Sequence, residues 1–201
     1  MELLSPFRGE FTQPLTKVVM GLCSAVNTEG AQVVVAQRLK RQPRIISKLA
    51  RFPRMDLSRM QDIGGCRAIL PDVATTARVQ RRIERQKSRV VSVDDYNAEP
   101  KAGGYRAVHL IVERDATRIE VQLRTIWQQE WATLVEDLDG SYELSLKDEA
   151  GPDELLAYLQ LLASAQEAEY AGPGLDERLA GELRAARQIA EDWLNVRGVA
   201  S

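Results

Sequence analysis

The sequence predicts an α/β (α+β) chain, helices interleaved with strands, on two kinds of periodicity. In residues 117–123 the apolar Ile119, Val121 and Leu123 alternate with Glu120, Gln122 and Arg124, the period of a half-buried strand. Elsewhere apolar residues recur at helical spacing, as in Phe11, Leu15, Val18, Val19 and Leu22, and again in Trp127, Trp131, Leu134 and Leu138. With 201 residues, 44% of them hydrophobic, the chain is long enough to bury one good core, with a helical appendage besides.

In chain order, residues 1–30 read as a helical lead-in broken at Asn27-Thr28-Glu29-Gly30. Residues 31–41 read as a second helix with Val34, Val35 and Leu39 on its apolar side. Pro43 suits the first turn of a new helix, 44–52, which is expected to bury Ile45, Ile46 and Leu49. A strand follows over 62–70, with Asp62 at its start and Pro71 closing it. After it come a helix over 73–86, a strand opening at Val90 and running to about Tyr96, and a strand over 105–112. The strand over 117–123 leads into a helix over 126–138. Two more helices, 153–170 and 175–196, are separated by Gly172-Pro173-Gly174.

Composition narrows the chemistry. One histidine, His109, is too few for a zinc site or a Ser-His-Asp triad, and Cys23 and Cys66 form no metal or disulfide pattern. No apolar run approaches the ~18 residues of a membrane span, and residues 1–10 lack the order of a secretory signal, so a cytoplasmic protein is expected. The net charge of −2 hides an asymmetry: residues 1–109 hold 19 Lys/Arg against 10 Asp/Glu, residues 110–201 hold 8 against 19. A basic half points to an anionic partner, or to the acidic half itself.

The densest chemistry lies in 93–112, V-D-D-Y-N-A-E-P-K-A-G-G-Y-R-A-V-H-L-I-V. Gly103-Gly104 allows either a tight hairpin turn or the close approach of a ligand. Beside it, Tyr105 suits a stacked base, and Lys101 and Arg106 suit phosphates. Between Arg38 and Arg54 stand seven cations and no acid, next to the expected helix start at Pro43, where free backbone N–H groups favour phosphate. Asp62 and Glu120 are carboxylates on separate strands. Facing one cleft, such a pair suits Mg²⁺, which takes one or two protein carboxylates and fills its shell with water and phosphate oxygens. This chemistry is phosphoryl or pyrophosphoryl transfer, with no Walker or Rossmann glycine pattern to bind the nucleotide.

Four segments together carry a resemblance: R-L-K-R-Q-P-R-I-I-S-K-L, M-Q-D-I-G-G-C-R-A-I, D-Y-N-A-E-P-K-A-G-G-Y-R-A-V-H and I-E-V-Q-L-R-T-I-W-Q-Q-E-W-A. In this order they resemble the synthetase domain of the RelA/SpoT family, over roughly residues 31–138. The resemblance implies a nucleotidyltransferase-like fold, a mixed five-stranded sheet flanked by helices. It also implies Mg²⁺-dependent transfer of pyrophosphate from ATP to a ribose 3′-hydroxyl, commonly of GDP or GTP. By position, Asp62 and Glu120 would hold the metal, with Glu120 also placed to take the hydroxyl proton. Arg38 and Arg67 would sandwich adenine, and Lys40 and Lys48 would hold the ATP phosphates. Tyr105 would stack on the acceptor base, Lys101 and His109 would lie near the acceptor phosphates, and Gln122 and Arg124 would line the same wall. Arg44, and Glu136-Asp137, depart from residues common in the family. The expected division is a lead-in at 1–30, a synthetase core at 31–140, and C-terminal helices at 141–201 packing on the core.

Without an upstream hydrolase domain, the chain resembles a stand-alone small alarmone synthetase, and the first two segments look most like those of toxin–antitoxin systems. That resemblance keeps open a tRNA 3′ CCA end as acceptor and an antitoxin as partner. A catalytically dead nucleotide- or partner-binding module is the reading from another class. Arg78, Arg81, Arg82 and Arg85, on one face of their helix, are the candidate support for a tRNA acceptor stem.

Overall fold

The computed structural model describes residues 4–31, 33–86 and 89–198. Met1, Glu2 and Leu3 of the lead-in, Gln32, and Lys87 of the basic cluster lie outside them. The chain forms two compact units, Met1–Asp95 with Ala107–Thr125, and Tyr96–Arg106 with Ile126–Ser201.

The first unit holds α1 (Leu4–Glu10), α2 (Thr12–Thr28), β1 (Val35–Leu39), α3 (Gln42–Arg51), β2 (Gly64–Leu70), α4 (Val73–Glu84), β3 (Arg89–Asp95), β4 (Val108–Arg114) and β5 (Thr117–Thr125). Its five-stranded sheet has the order β1-β2-β5-β4-β3, in which β2 and β5 are parallel and every other pair antiparallel. The alternation in β5 sends Ile119, Val121 and Leu123, all fully buried, to one face. There they pack with Leu15, Val18 and Leu22 of α2 and Val79 and Ile83 of α4. Glu120 and Gln122 consequently stand on the opposite face.

One expected helix is a strand. Residues 31–41 supply β1, which pairs with β2 through Arg38↔Gly65 and Ala36↔Arg67. Two patterns competed there, and period two won: Val33, Val35 and Leu39 pack on the core while Val34 stays 69% exposed. Three consecutive β-branched valines also favour a pleated surface over a helix. In α3, Ile45 is fully buried but Ile46 is 44% exposed, so that helix presents a narrower apolar stripe than its sequence suggests.

The second unit holds α5 (Ile126–Tyr142), α6 (Asp153–Tyr170), α7 (Glu177–Gly198) and the loop 96–106. Trp131, Val135, Leu155, Leu159, Ala163 and Ala190 form its core, and the Trp131 indole N–H donates to the Leu159 carbonyl at 2.9 Å.

The strand expected from Tyr105 begins at Val108 instead. Gly104 explains the delay. Its φ of +91° is a conformation that favours glycine, and a Cβ there would lie 2.7 Å from the Ala163 Cβ of α6. The glycine therefore admits a helix rather than a ligand. Gly104→Ala is expected to destabilise the chain by about 1–3 kcal/mol, measured as a lower denaturant midpoint with unchanged slope.

Candidate active site

In the first unit the site forms where β1, α3, β2 and β5 meet. Lys40 follows β1 and its backbone N–H donates to the Ile63 carbonyl at 2.7 Å. Arg8 of α1 donates its Nε to the Lys40 carbonyl at 2.8 Å, fixing the same residue from behind. Asp62 lies in the turn before β2, and its Oδ2 accepts from both Lys40 Nζ and Lys48 Nζ, the latter at 3.0 Å. Burial pushes the Asp62 carboxyl up, but the two ammonium groups outweigh it and hold the pKa below the usual carboxylate range. Its other oxygen, Oδ1, is buried and has no hydrogen-bond partner among the described residues. A buried anionic oxygen with an open lone pair is the kind of atom a hard cation takes.

Glu120 stands beside Gly65 in the parallel ladder. His109 Nδ1 lies 3.3 Å from its Oε1, and Gln122 Nε2 donates to its Oε2 at 2.8 Å. Burial raises the Glu120 pKa and the nearby Asp62 charge adds to that, yet His109 and Gln122 bring it below the ordinary value. Glu120 is thus expected to titrate below an ordinary glutamate, as followed by carboxyl NMR. His109→Leu removes a group that favours the charged form, so the midpoint should move up.

Arg38 and Arg67 share the sheet face of Glu120. Their register partners, Gly65 and Ala36, make them diagonal neighbours across β1 and β2. Such neighbours lie ~7–8 Å apart, room for one flat ring between two side chains. Neither forms an ion pair among the described residues. Gln122 shares this face, paired with His109 across β4, while Arg124, two residues on, is only 7% exposed.

The second unit carries the aromatic group. Tyr96 and Tyr105 meet edge to face with centroids 5.6 Å apart, and Tyr105 is 6.1 Å from Trp131. Lys101 Nζ lies over both tyrosines, 4.9 Å from the Tyr96 centroid and 5.6 Å from that of Tyr105. Arg106 Nε is 3.6 Å from Glu167.

The structure thus gathers Arg38, Lys40, Lys48, Asp62, Arg67, His109, Glu120 and Gln122 in the first unit, and Lys101 with Tyr105 in the second. It puts His109 on Glu120. Sequence reading missed Tyr96, whose signal was its place in D-Y-N, and Gln128, which donates to Asn97 at 2.6 Å and braces that loop. Cysteine chemistry is absent from the site: Cys66 is buried in the core, and burial pushes its thiol up to about 12.

The family model for the region found in RelA / SpoT proteins matches residues 37–143. The chain belongs to the RelA/SpoT family. Among its relatives, GTP pyrophosphokinase YjbM of Bacillus subtilis is 30% identical over 168 residues, 78% of this chain and 74% of that protein. Uncharacterized protein Rv1366 of Mycobacterium tuberculosis is 33% identical over 132 residues, 63% of this chain; the chain spans 47% of that relative's length. The structure of small alarmone synthetase 1 from Bacillus subtilis bound to its product pppGpp superposes with a TM-score of 0.69 at 23% identity, each chain covered completely. The mixed five-stranded sheet with flanking helices is therefore the RelA/SpoT synthetase fold. Arg44, expected to depart from the family pattern, is exposed on α3. Glu136 is ion-paired to Lys147 at 2.6 Å.

Proposed function

We propose that this chain is a Mg²⁺-dependent pyrophosphokinase that transfers pyrophosphate from ATP to the ribose 3′-hydroxyl of GDP or GTP, making (p)ppGpp-type alarmones. The observation that carries the reading is the pair Asp62 and Glu120, depressed in pKa, close in the parallel β2–β5 region and bordered by Lys40, just after β1, and Lys48 of α3. Membership of the RelA/SpoT family and the name of YjbM, a GTP pyrophosphokinase, support it.

The residues fit the metal. Asp62 offers a buried oxygen with no hydrogen-bond partner among the described residues, and Glu120 a second carboxylate whose charge is coupled to it. When bound, Mg²⁺ supplies charge neutralisation on the transferring phosphates. The rest falls to the protein. Arg38 and Arg67 hold adenine between their guanidinium planes, and Lys40 and Lys48 exchange the Asp62 carboxylate for ATP phosphates. Tyr105 stacks on the acceptor base, and Lys101, already drawn to that ring, supplies a phosphate contact. The 3′-oxygen attacks the β-phosphorus of ATP, the bond from that phosphorus to the α–β bridging oxygen breaks, and AMP leaves with the oxygen. Glu120 takes the hydroxyl proton. Its depressed pKa keeps it ionised at neutral pH, and His109 and Gln122 hold the carboxylate in position.

The test is purified protein with ATP labelled in its β-phosphate, offered GDP, GTP, ADP and deacylated tRNA in parallel. Labelled (p)ppGpp, released with one AMP per transfer, is the expected product. Label on the tRNA 3′ end alone replaces the mononucleotide acceptor with the CCA end and makes the protein a candidate toxin with an antitoxin partner. Label on no acceptor, with ATP still bound, leaves a binding module.

A further inference from the structure

The arginines of α4 do not belong to the site just described. Val79 and Ile83 of that helix pack on the sheet face formed by Ile119, Val121 and Leu123, whereas Glu120 and Gln122 stand on the other face. Arg78, Arg81, Arg82 and Arg85 therefore lie in the helical layer, with the sheet between them and the paired carboxylates. Together with Glu29 and Gln86 they line a groove of about 380 Å³ between α2 and α4, a volume in the range of small-molecule sites.

Within the groove the four guanidinium groups are used in two ways. Glu29 holds Arg82 at 2.7 Å and Arg78 at 3.3 Å. Arg78 also donates to Thr75 Oγ1 at 2.8 Å. Gln86 Nε2 ties the end of α4 to the Gly21 carbonyl of α2 at 2.8 Å. These contacts fix the wall. The guanidinium groups of Arg81 and Arg85, in contrast, form no ion pair or hydrogen bond among the described residues, and both residues are exposed. Arg81 lies in the last turn of α4 and Arg85 caps it with a backbone still in the helical region, so at i and i+4 their Cβ atoms are about 5–6 Å apart. Among the described residues, four cations against one carboxylate leave the groove strongly positive.

We propose that this groove is a second binding site, for a small anion carrying adjacent phosphate groups, a diphosphate or longer. Two free guanidinium forks one helical turn apart match charges spread over neighbouring phosphates better than a single phosphate. No aromatic ring lines the groove, so recognition rests on phosphates and not on a stacked base. A continuous RNA backbone is the poorer occupant, because Glu29 stands in the groove wall and would repel a phosphate chain running past it.

Calorimetric titration with inorganic tripolyphosphate at 0.15 M salt tests the site on the whole chain. Wild type should show one binding event that Arg81→Ala/Arg85→Ala weakens by about tenfold per guanidinium, roughly hundredfold together. Lys48→Ala should leave that event in place, and basal transfer from ATP should be unchanged in the arginine variant. Glu29→Gln, which removes the one negative charge, should tighten binding, and this keeps the test alive if the double variant folds poorly. A wild-type isotherm in the arginine variant together with no gain in Glu29→Gln would overturn the proposal. So would an RNA oligonucleotide that binds through these arginines where tripolyphosphate does not. Loss of thermal stability on replacing Arg81 and Arg85, with no anion bound by either protein, would reduce them to cations that complement the C-terminal end of α4.

Discussion

Asp62→Asn and Glu120→Gln are each expected to lower transfer by at least about 10²–10³-fold, the usual loss when one preorganised charge contact to a developing transition state is removed. The two should differ in what they leave behind. In the protein as it stands, Lys40 and Lys48 share the Asp62 carboxylate, so under the proposed function ATP phosphates would compete with that carboxylate for both ammonium groups. Asparagine keeps the shape but removes the competitor. Asp62→Asn should accordingly bind ATP in the absence of metal at least as tightly as wild type while losing Mg²⁺ dependence and turnover. Glu120→Gln keeps its contact with Gln122 and should bind ATP normally, with kcat falling and KM little changed. Nucleotide binding by calorimetry, alongside single-turnover transfer, separates these outcomes. Normal turnover in either variant would remove that carboxylate from the reaction.

Tyr105→Ala should produce the second large effect, confined to the acceptor. Stacking a base on an aromatic ring contributes ~1–3 kcal/mol, roughly 5- to 150-fold in affinity. Tyr105 also packs on Trp131 and Tyr96, so some stability should be lost with it. Tyr105→Phe restores the ring and should recover most acceptor use. Lys48→Ala, by contrast, should weaken ATP and spare the acceptor. Equal loss of ATP binding in Tyr105→Ala and Lys48→Ala would refute the division between donor and acceptor groups.

Much of this was legible in the sequence because it depends on local pattern. The strict alternation of β5 put Glu120 and Gln122 opposite Ile119, Val121 and Leu123 before any fold was known. The start of α6 at Asp153 followed from Pro152. Four motifs in fixed order identified the family. Residues 31–41 were ambiguous for a physical reason: Val33, Val34 and Val35 satisfy both periods, and only pairing with β2 decides between them. Gly104 was legible as a special backbone position but not as a helix contact, since Ala163 is 59 residues away in sequence.

The sequence by itself determined the residue types: two carboxylates at or beside strands, basic runs, and an aromatic ring beside paired glycines. Tertiary structure alone decided which of them share a charge. It placed both lysines on Asp62 and set His109 against Glu120. It also put the α4 arginines on the far side of the sheet from Glu120. An ion pair across 14 or 22 residues and the choice of sheet face for a helix both depend on which core the chain buries. No local spacing encodes that.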